Sequence, residues 1–173
     1  MLSCNSGKKS ISVIHVDAET LPITHGEDVT SLISDSGITR YQMQTAVWDI
    51  YSNYWYFPEG IYLEQFDSIF TVEGSLRADT AYYFQDKELW QLIGNVKIQN
   101  LAGSLFETDE LFWNRNEPPF SKNAIFTDKF VRINDGDRVV TSIGLRSNQH
   151  MTDYTLYSTT IETVINEKSP PNE

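Results

Sequence analysis

Six glycines, Gly37, Gly74, Gly94, Gly103, Gly136 and Gly144, sit between or beside short runs of β-branched and aromatic residues. Three of them open nearly the same phrase. Gly37 begins Gly-Ile-Thr-Arg-Tyr-Gln-Met-Gln-Thr-Ala-Val-Trp-Asp, ending at Asp49, and Gly74 begins Gly-Ser-Leu-Arg-Ala-Asp-Thr-Ala-Tyr-Tyr-Phe-Gln-Asp, ending at Asp86. Gly103 begins Gly-Ser-Leu-Phe-Glu-Thr-Asp-Glu-Leu-Phe-Trp-Asn-Arg, ending at Arg115. Glycine permits the positive φ that a tight turn demands, and the residues after it read as a strand with bulky apolar groups at its far end. A unit recurring this way predicts strands stacked rung upon rung around one continuous apolar interior. The spacings are unequal, so the repeat is loose.

A chain of 173 residues, 40% of them hydrophobic, has enough length for one sizeable core. Its nine tyrosines, nine phenylalanines and four tryptophans favour strands, because aromatic rings fit a pleated surface. The net charge of -11 argues against nucleic acid, whose phosphates need clustered Lys and Arg. It equally disfavours a basic groove that reads phosphate, so an amphiphilic ligand would be held mainly by its apolar part. No apolar run approaches the roughly 18 residues of a membrane span.

Residues 1–12 are small and polar and read as a flexible tether. The single cysteine, Cys4, excludes an intrachain disulfide. Leu2-Ser3-Cys4 looks like the end of a bacterial lipobox, which makes Cys4 a candidate lipid anchor; a chance cysteine in a leader is the plain alternative. Residues 13–16 form a candidate first strand, and 28–34 a helical turn or another strand. From Ile38 to Ile165 the pattern is almost all strand. Ile61/Leu63, Phe70/Val72 and Val96/Ile98 alternate with polar neighbours, as half-buried strands do. Phe106 and Thr108 share a face, Asp109-Glu110 shifts the register as a bulge, and Leu111 and Trp113 follow. Pro118-Pro119 ends that strand, and Ile125/Thr127, Val131/Ile133, Val139/Thr141 and Tyr154/Leu156 continue the alternation. The expected organisation is one all-β domain over 13–165 and a disordered tail at 166–173.

Catalytic signatures are missing. His15, His25 and His150 are scattered without the short ligand spacing of a zinc site, so no metal is expected. No nucleophile elbow, P-loop or dinucleotide glycine pattern occurs, and no cofactor is implied. Asp109/Glu110 and Asp135/Asp137 suit solvated turns better than an acid–base pair. Asp135-Gly136-Asp137 lacks the other ligands of a calcium loop and reads as a hairpin turn. The aromatic cluster Trp48, Tyr51, Tyr54, Trp55, Tyr56 and Phe57 suits a sandwich core and rim, with acyl or sugar contact as the functional alternative.

Several phrases resemble the LptC family of lipopolysaccharide export, in its Bacteroidetes form. They are Ser34-Asp35-Ser36-Gly37-Ile38-Thr39-Arg40-Tyr41, Phe57-Pro58-Glu59-Gly60-Ile61-Tyr62-Leu63-Glu64 and Gly94-Asn95-Val96-Lys97-Ile98-Gln99-Asn100. The likeness continues through Gly103, Phe106, Thr108, Leu111 and Trp113, then Ile125, Thr127, Asp128, Val131 and Ile133, and ends at Gly144-Leu145-Arg146-Ser147-Asn148. It departs at Ser142, where the family often has glycine, and in lacking the family's amino-terminal membrane helix, for which an acylated Cys4 would substitute.

The resemblance implies an OstA-like open β-jelly roll of stacked antiparallel strands, with no enzymatic activity. It implies a periplasmic protein held at the inner membrane that accepts lipopolysaccharide from the inner-membrane ABC transporter. An LptA-like bridge protein would receive the cargo through edge-strand pairing. The first strands, 13–16 and 28–33, would face the transporter, and the last, 153–165, the bridge. The candidate groove is Phe70, Val72, Val96, Ile98, Phe106, Leu111, Trp113, Ile125, Val131 and Ile133, which could equally fill a plain core. Acyl chains there would gain roughly 0.8 kcal/mol per buried CH₂. An LptA/OstA-type bridge subunit and a carbohydrate-binding β-sandwich are the alternative readings.

Overall fold

A computed structural model describes residues 21–35 and 37–163. Cys4, the candidate strand at 13–16 and the tail at 166–173 lie outside the described residues. Almost everything described is one antiparallel sheet of 12 strands. In chain order they are β1 (Thr24–Asp35), β2 (Ile38–Ile50), β3 (Tyr54–Phe57), β4 (Ile61–Phe66), β5 (Val72–Ala78) and β6 (Thr80–Phe84). The rest are β7 (Leu89–Gln99), β8 (Leu105–Asn114), β9 (Ile125–Asn134), β10 (Arg138–Ser147), β11 (Tyr154–Leu156) and β12 (Thr160–Thr163). The segment at 28–34, open between helix and strand from sequence, belongs to β1.

The sheet is a stack of bent rungs. β3 and β4 form one rung broken at Pro58–Gly60, and β5 and β6 form the next, broken at Asp79. Their pairings run from Tyr54↔Phe84 and Phe57↔Ala81 to Ile61↔Ala78 and Leu63↔Leu76, slipping by one residue at the break. β2 pairs with β4 at one end and β3 at the other, and β7 pairs with β5 and β6 in the same way. β8, β9 and β10 continue the stack, and β11 and β12 cover the two ends of β10. The expected rung-upon-rung, jelly-roll arrangement is what the strands form.

A line of irregularities bends each rung at the same level. The β7–β8 ladder shifts between Ile93 and Val96, β8–β9 between Thr108 and Phe112, and β9–β10 between Ile143 and Leu145. The bulge read at Asp109-Glu110 falls on this line. Small hydroxyls serve the carbonyls that the bend releases from the ladder. Thr45 Oγ1 lies 2.7 Å from the Gly60 carbonyl, Thr108 Oγ1 2.8 Å from that of Phe130, and Ser142 Oγ 3.1 Å from that of Gly144. The position where the family often carries glycine thus holds a side chain that caps the bend.

The repeated glycines do different jobs. Gly37 and Gly103 take φ of 81° and 84° in turns, as the phrase suggested. Gly74 instead lies inside β5, where a Cβ would come within 3.0 Å of the Gln99 carbonyl on β7. Its role is close approach of two strands, not a turn.

Folding each rung back on itself gives two limbs that face one another across the core. Met43, Leu63, Leu76, Ile98, Phe106 and Ile133 come from one limb and Phe57, Trp90, Leu92, Leu111, Trp113 and Leu145 from the other, in a single buried cluster. Trp90 stacks between Phe57 (5.6 Å) and Trp113 (6.4 Å). Burial of such side chains contributes about 1.5–3 kcal/mol each and is the main force closing the limbs.

Candidate functional site

Where the limbs part, they leave a cavity of about 320 Å³. Leu63 on β4, Leu76 on β5 and Ile98 on β7 line one side, and Trp113 on β8 and Ile125 on β9 the other. Tyr41 reaches across from β2 and meets Trp113 edge to face, with ring centroids 5.7 Å apart. The indole N–H of Trp113 is buried with no acceptor among the described residues. A buried donor left unpaired costs about 1–3 kcal/mol, which the packing of this wall has to offset.

The segment following β10 closes the mouth as a strap. Asn148 shapes it: its side-chain oxygen accepts from the Thr152 amide at 3.0 Å, and its amide donates to Thr152 Oγ1 at 2.8 Å. Two contacts tie the strap to the opposite limb. Asn100 Nδ2 donates to the Met151 carbonyl at 2.9 Å, and Gln65 Nε2 lies 3.2 Å from His150 Nδ1. Met151 takes a left-handed backbone (φ 55°) and drives its side chain into the core, where it is 1% exposed.

The ten residues expected to line a groove fall into three groups. Ile98, Trp113 and Ile125 line the cavity. Val96, Phe106, Leu111, Val131 and Ile133 are buried in the core cluster away from it. Phe70 and Val72 do not share the buried face on which the alternation put them. Phe70 occupies the turn 67–71 with φ 63° and is 63% exposed, while Val72 begins β5 and is 46% exposed. Asp67 imposes that turn by accepting from the amides of Ile69 and Thr71, both at 2.8 Å, which breaks the alternation after Phe66.

Sequence reasoning missed Tyr41, Leu63, Leu76 and the strap. Leu63 and Leu76 were recoverable, since they are cross-strand partners on alternating strands. Asn148-Gln149-His150-Met151-Thr152 is polar and aperiodic apart from Met151, so nothing local marks it.

The aromatic cluster divides by strand alternation. Trp48 and Phe57 stack within the interior at 5.7 Å, and Trp55 meets Trp48 edge to face at 5.1 Å. Tyr54 and Tyr56 take the other face of β3, where Tyr56 stacks on Tyr82 at 4.6 Å. The carboxyls with displaced pKa values move in the wrong direction for an acid catalyst. Glu107 is held below the usual range chiefly by Lys97, with Arg132 assisting; Asp135 by Arg138; and Asp67 by the backbone amide of Thr71. Asp135 and Arg138 close the β9–β10 hairpin at Gly136 (φ 92°), as expected for this Asp-Gly-Asp turn.

These features define an open, single-sheet β-jelly roll with an apolar interior that gapes at one side. Within that class the particular family follows from comparison. The family model described as "Lipopolysaccharide-assembly, LptC-related" matches residues 63–164, more than half of the chain, and the protein belongs to the LptC family. The match begins at the cavity residue Leu63 and runs through the strap. No curated protein matches the sequence. Membership assigns the chain to lipopolysaccharide transport, in a family of periplasmic, inner-membrane-associated transport components. No helix among the described residues is long and apolar enough to cross a membrane.

Proposed function

We infer that this protein accepts lipopolysaccharide from the inner-membrane ABC transporter, holds its acyl chains between the two limbs and passes it to a periplasmic bridge protein. The observation that carries this reading is the apolar cavity at the open side of the jelly roll, lined from both limbs by Leu63, Leu76, Ile98, Trp113 and Ile125. Acyl chains entering it leave water, and each CH₂ buried contributes roughly 0.8 kcal/mol without any headgroup being read.

The ends of the stack supply the joints. β1 has β2 as its only strand partner, and β11 and β12 pair only with β10, so each end offers an unpaired backbone edge among the described strands. A neighbouring jelly roll would complete the sheet by strand addition. In this reading β1 faces the transporter and β11–β12 the bridge. An acylated Cys4 tethers the domain to the inner membrane.

The test is a photo-crosslinking amino acid placed singly at Ile98, Ile125, Phe112 and Phe70 in cells with an active transporter. Lipopolysaccharide adducts at Ile98 and Ile125, and their loss when the transporter is inactivated, are the expected result. A folded protein that crosslinks nowhere, or only at Phe112 on the outer face, would rule out the interior route.

A further inference from the structure

The inner wall of the cavity is apolar, but its mouth is not, and the kind of polarity there selects among headgroups. This step rests on the acyl-chain reading of the cavity. At the mouth stand four carboxamides, Gln65, Gln99, Asn100 and Gln149, together with Glu73 and His150. Glu73, Gln99 and Gln149 have side chains with no hydrogen-bond partner among the described residues, so they are available to a ligand. None of the lining residues is Lys or Arg.

Several cations elsewhere are held in ion pairs. Lys97 and Arg132 share Glu107, Arg138 holds Asp135, Arg146 holds Asp128, and Lys122 holds Asp153. Proteins that read phosphate do so with a guanidinium fork, an ammonium group or the N-terminus of a helix. The described residues offer none of these at the mouth, and they contain no α-helix. An anion arriving there meets the Glu73 carboxylate instead. Carboxamides, which both donate and accept, complement hydroxyl and amide groups.

We propose that the cavity receives an acylated ligand whose captured head is uncharged, bearing hydroxyl and amide groups, and that phosphate on that head adds nothing to capture. The preferred cargo is therefore a glycolipid presenting its unphosphorylated side to this mouth.

The experiment uses the full chain loaded with a fluorescent fatty acid. The probe is displaced by synthetic acylated amino-sugar disaccharides carrying no, one or two phosphates, at low and high salt. The unphosphorylated ligand should displace it at least as well as the bisphosphorylated one. Added salt should leave the first unchanged and improve the second, because screening relieves its repulsion from Glu73. Glu73→Gln should narrow the difference at low salt. A preference for the bisphosphorylated ligand beyond about threefold overturns the proposal while leaving the acyl cavity intact. If no acylated ligand displaces the probe, the lipid reading itself falls and this inference falls with it.

Discussion

Asp79 and Gly94 meet at the bend where two neighbouring rungs turn together. The Asp79 amide donates to the Gly94 carbonyl at 2.9 Å, and its carboxylate accepts from Asn95 Nδ2 at 2.6 Å. A Cβ on Gly94 would lie 2.9 Å from that carboxylate oxygen, and the residue already sits at φ 79°. The pair locks the corner of β5–β6 to the bulge of β7, and so sets the angle at which the limbs face each other.

Gly94→Ala should accordingly cost about 1–2 kcal/mol from the left-handed backbone alone. Displacement of the Asp79 carboxylate would loosen its bond to Asn95 as well. Chemical denaturation of the variant should show a lower midpoint at an unchanged slope. A midpoint equal to that of the parent would mean that the corner is not a rigid joint.

The rung architecture was legible because glycine turns and alternating apolar residues are local signals. So were the bend at Asp109-Glu110 and the inward face of Val96, Ile98, Leu111 and Trp113. Phe70 and Val72 were misplaced because an Asp67-centred turn outranks alternation, and a turn of that kind depends on side-chain geometry instead of periodicity. The site itself was only partly readable. One wall gathers Tyr41, Leu63 and Leu76 from three strands, and the lid comes from Met151, which is distant from all three along the chain. Alternation assigns a side chain to a face of the sheet, but whether that face lines a space or fills one depends on how far the limbs part.

Asn100→Ala tests the strap. Its amide ties Met151 to the end of β7, and its oxygen accepts from the Ser104 amide at 3.0 Å. Removing it leaves a buried carbonyl without its donor, at a cost of about 1–3 kcal/mol. Amide exchange at Met151, Thr152 and Asp153 should accelerate far more than exchange in β8 or β9, and the fluorescent fatty acid should enter faster. Uniform acceleration across the sheet would instead mean that the strap unfolds only with the whole domain.

The edge strand β1 carries a pH dependence that can be assigned to one contact. His25 Nδ1 lies 2.6 Å from Asp49 Oδ1 across the β1–β2 ladder, with Glu27 at 3.4 Å from the other ring nitrogen. The hydrogen bond to Asp49, followed by that to Glu27, raises the pKa of His25 above its ordinary 6.5. A histidine whose folded pKa exceeds its unfolded one stabilises fully below the unfolded value, and the contribution fades as pH rises through the folded value. Protection factors for β1 amides near Gly26 and Glu27 should therefore fall as the pH rises above the ordinary histidine value of 6.5, and more gently at high salt. His25→Asn should flatten that dependence and leave the protection of β7 and β8 unchanged. Because β1 is the edge proposed to face the transporter, a docking affinity that declines over the same interval in the parent, and not in the variant, would tie this contact to assembly. If His25→Asn keeps the full pH dependence, the titrating group lies elsewhere.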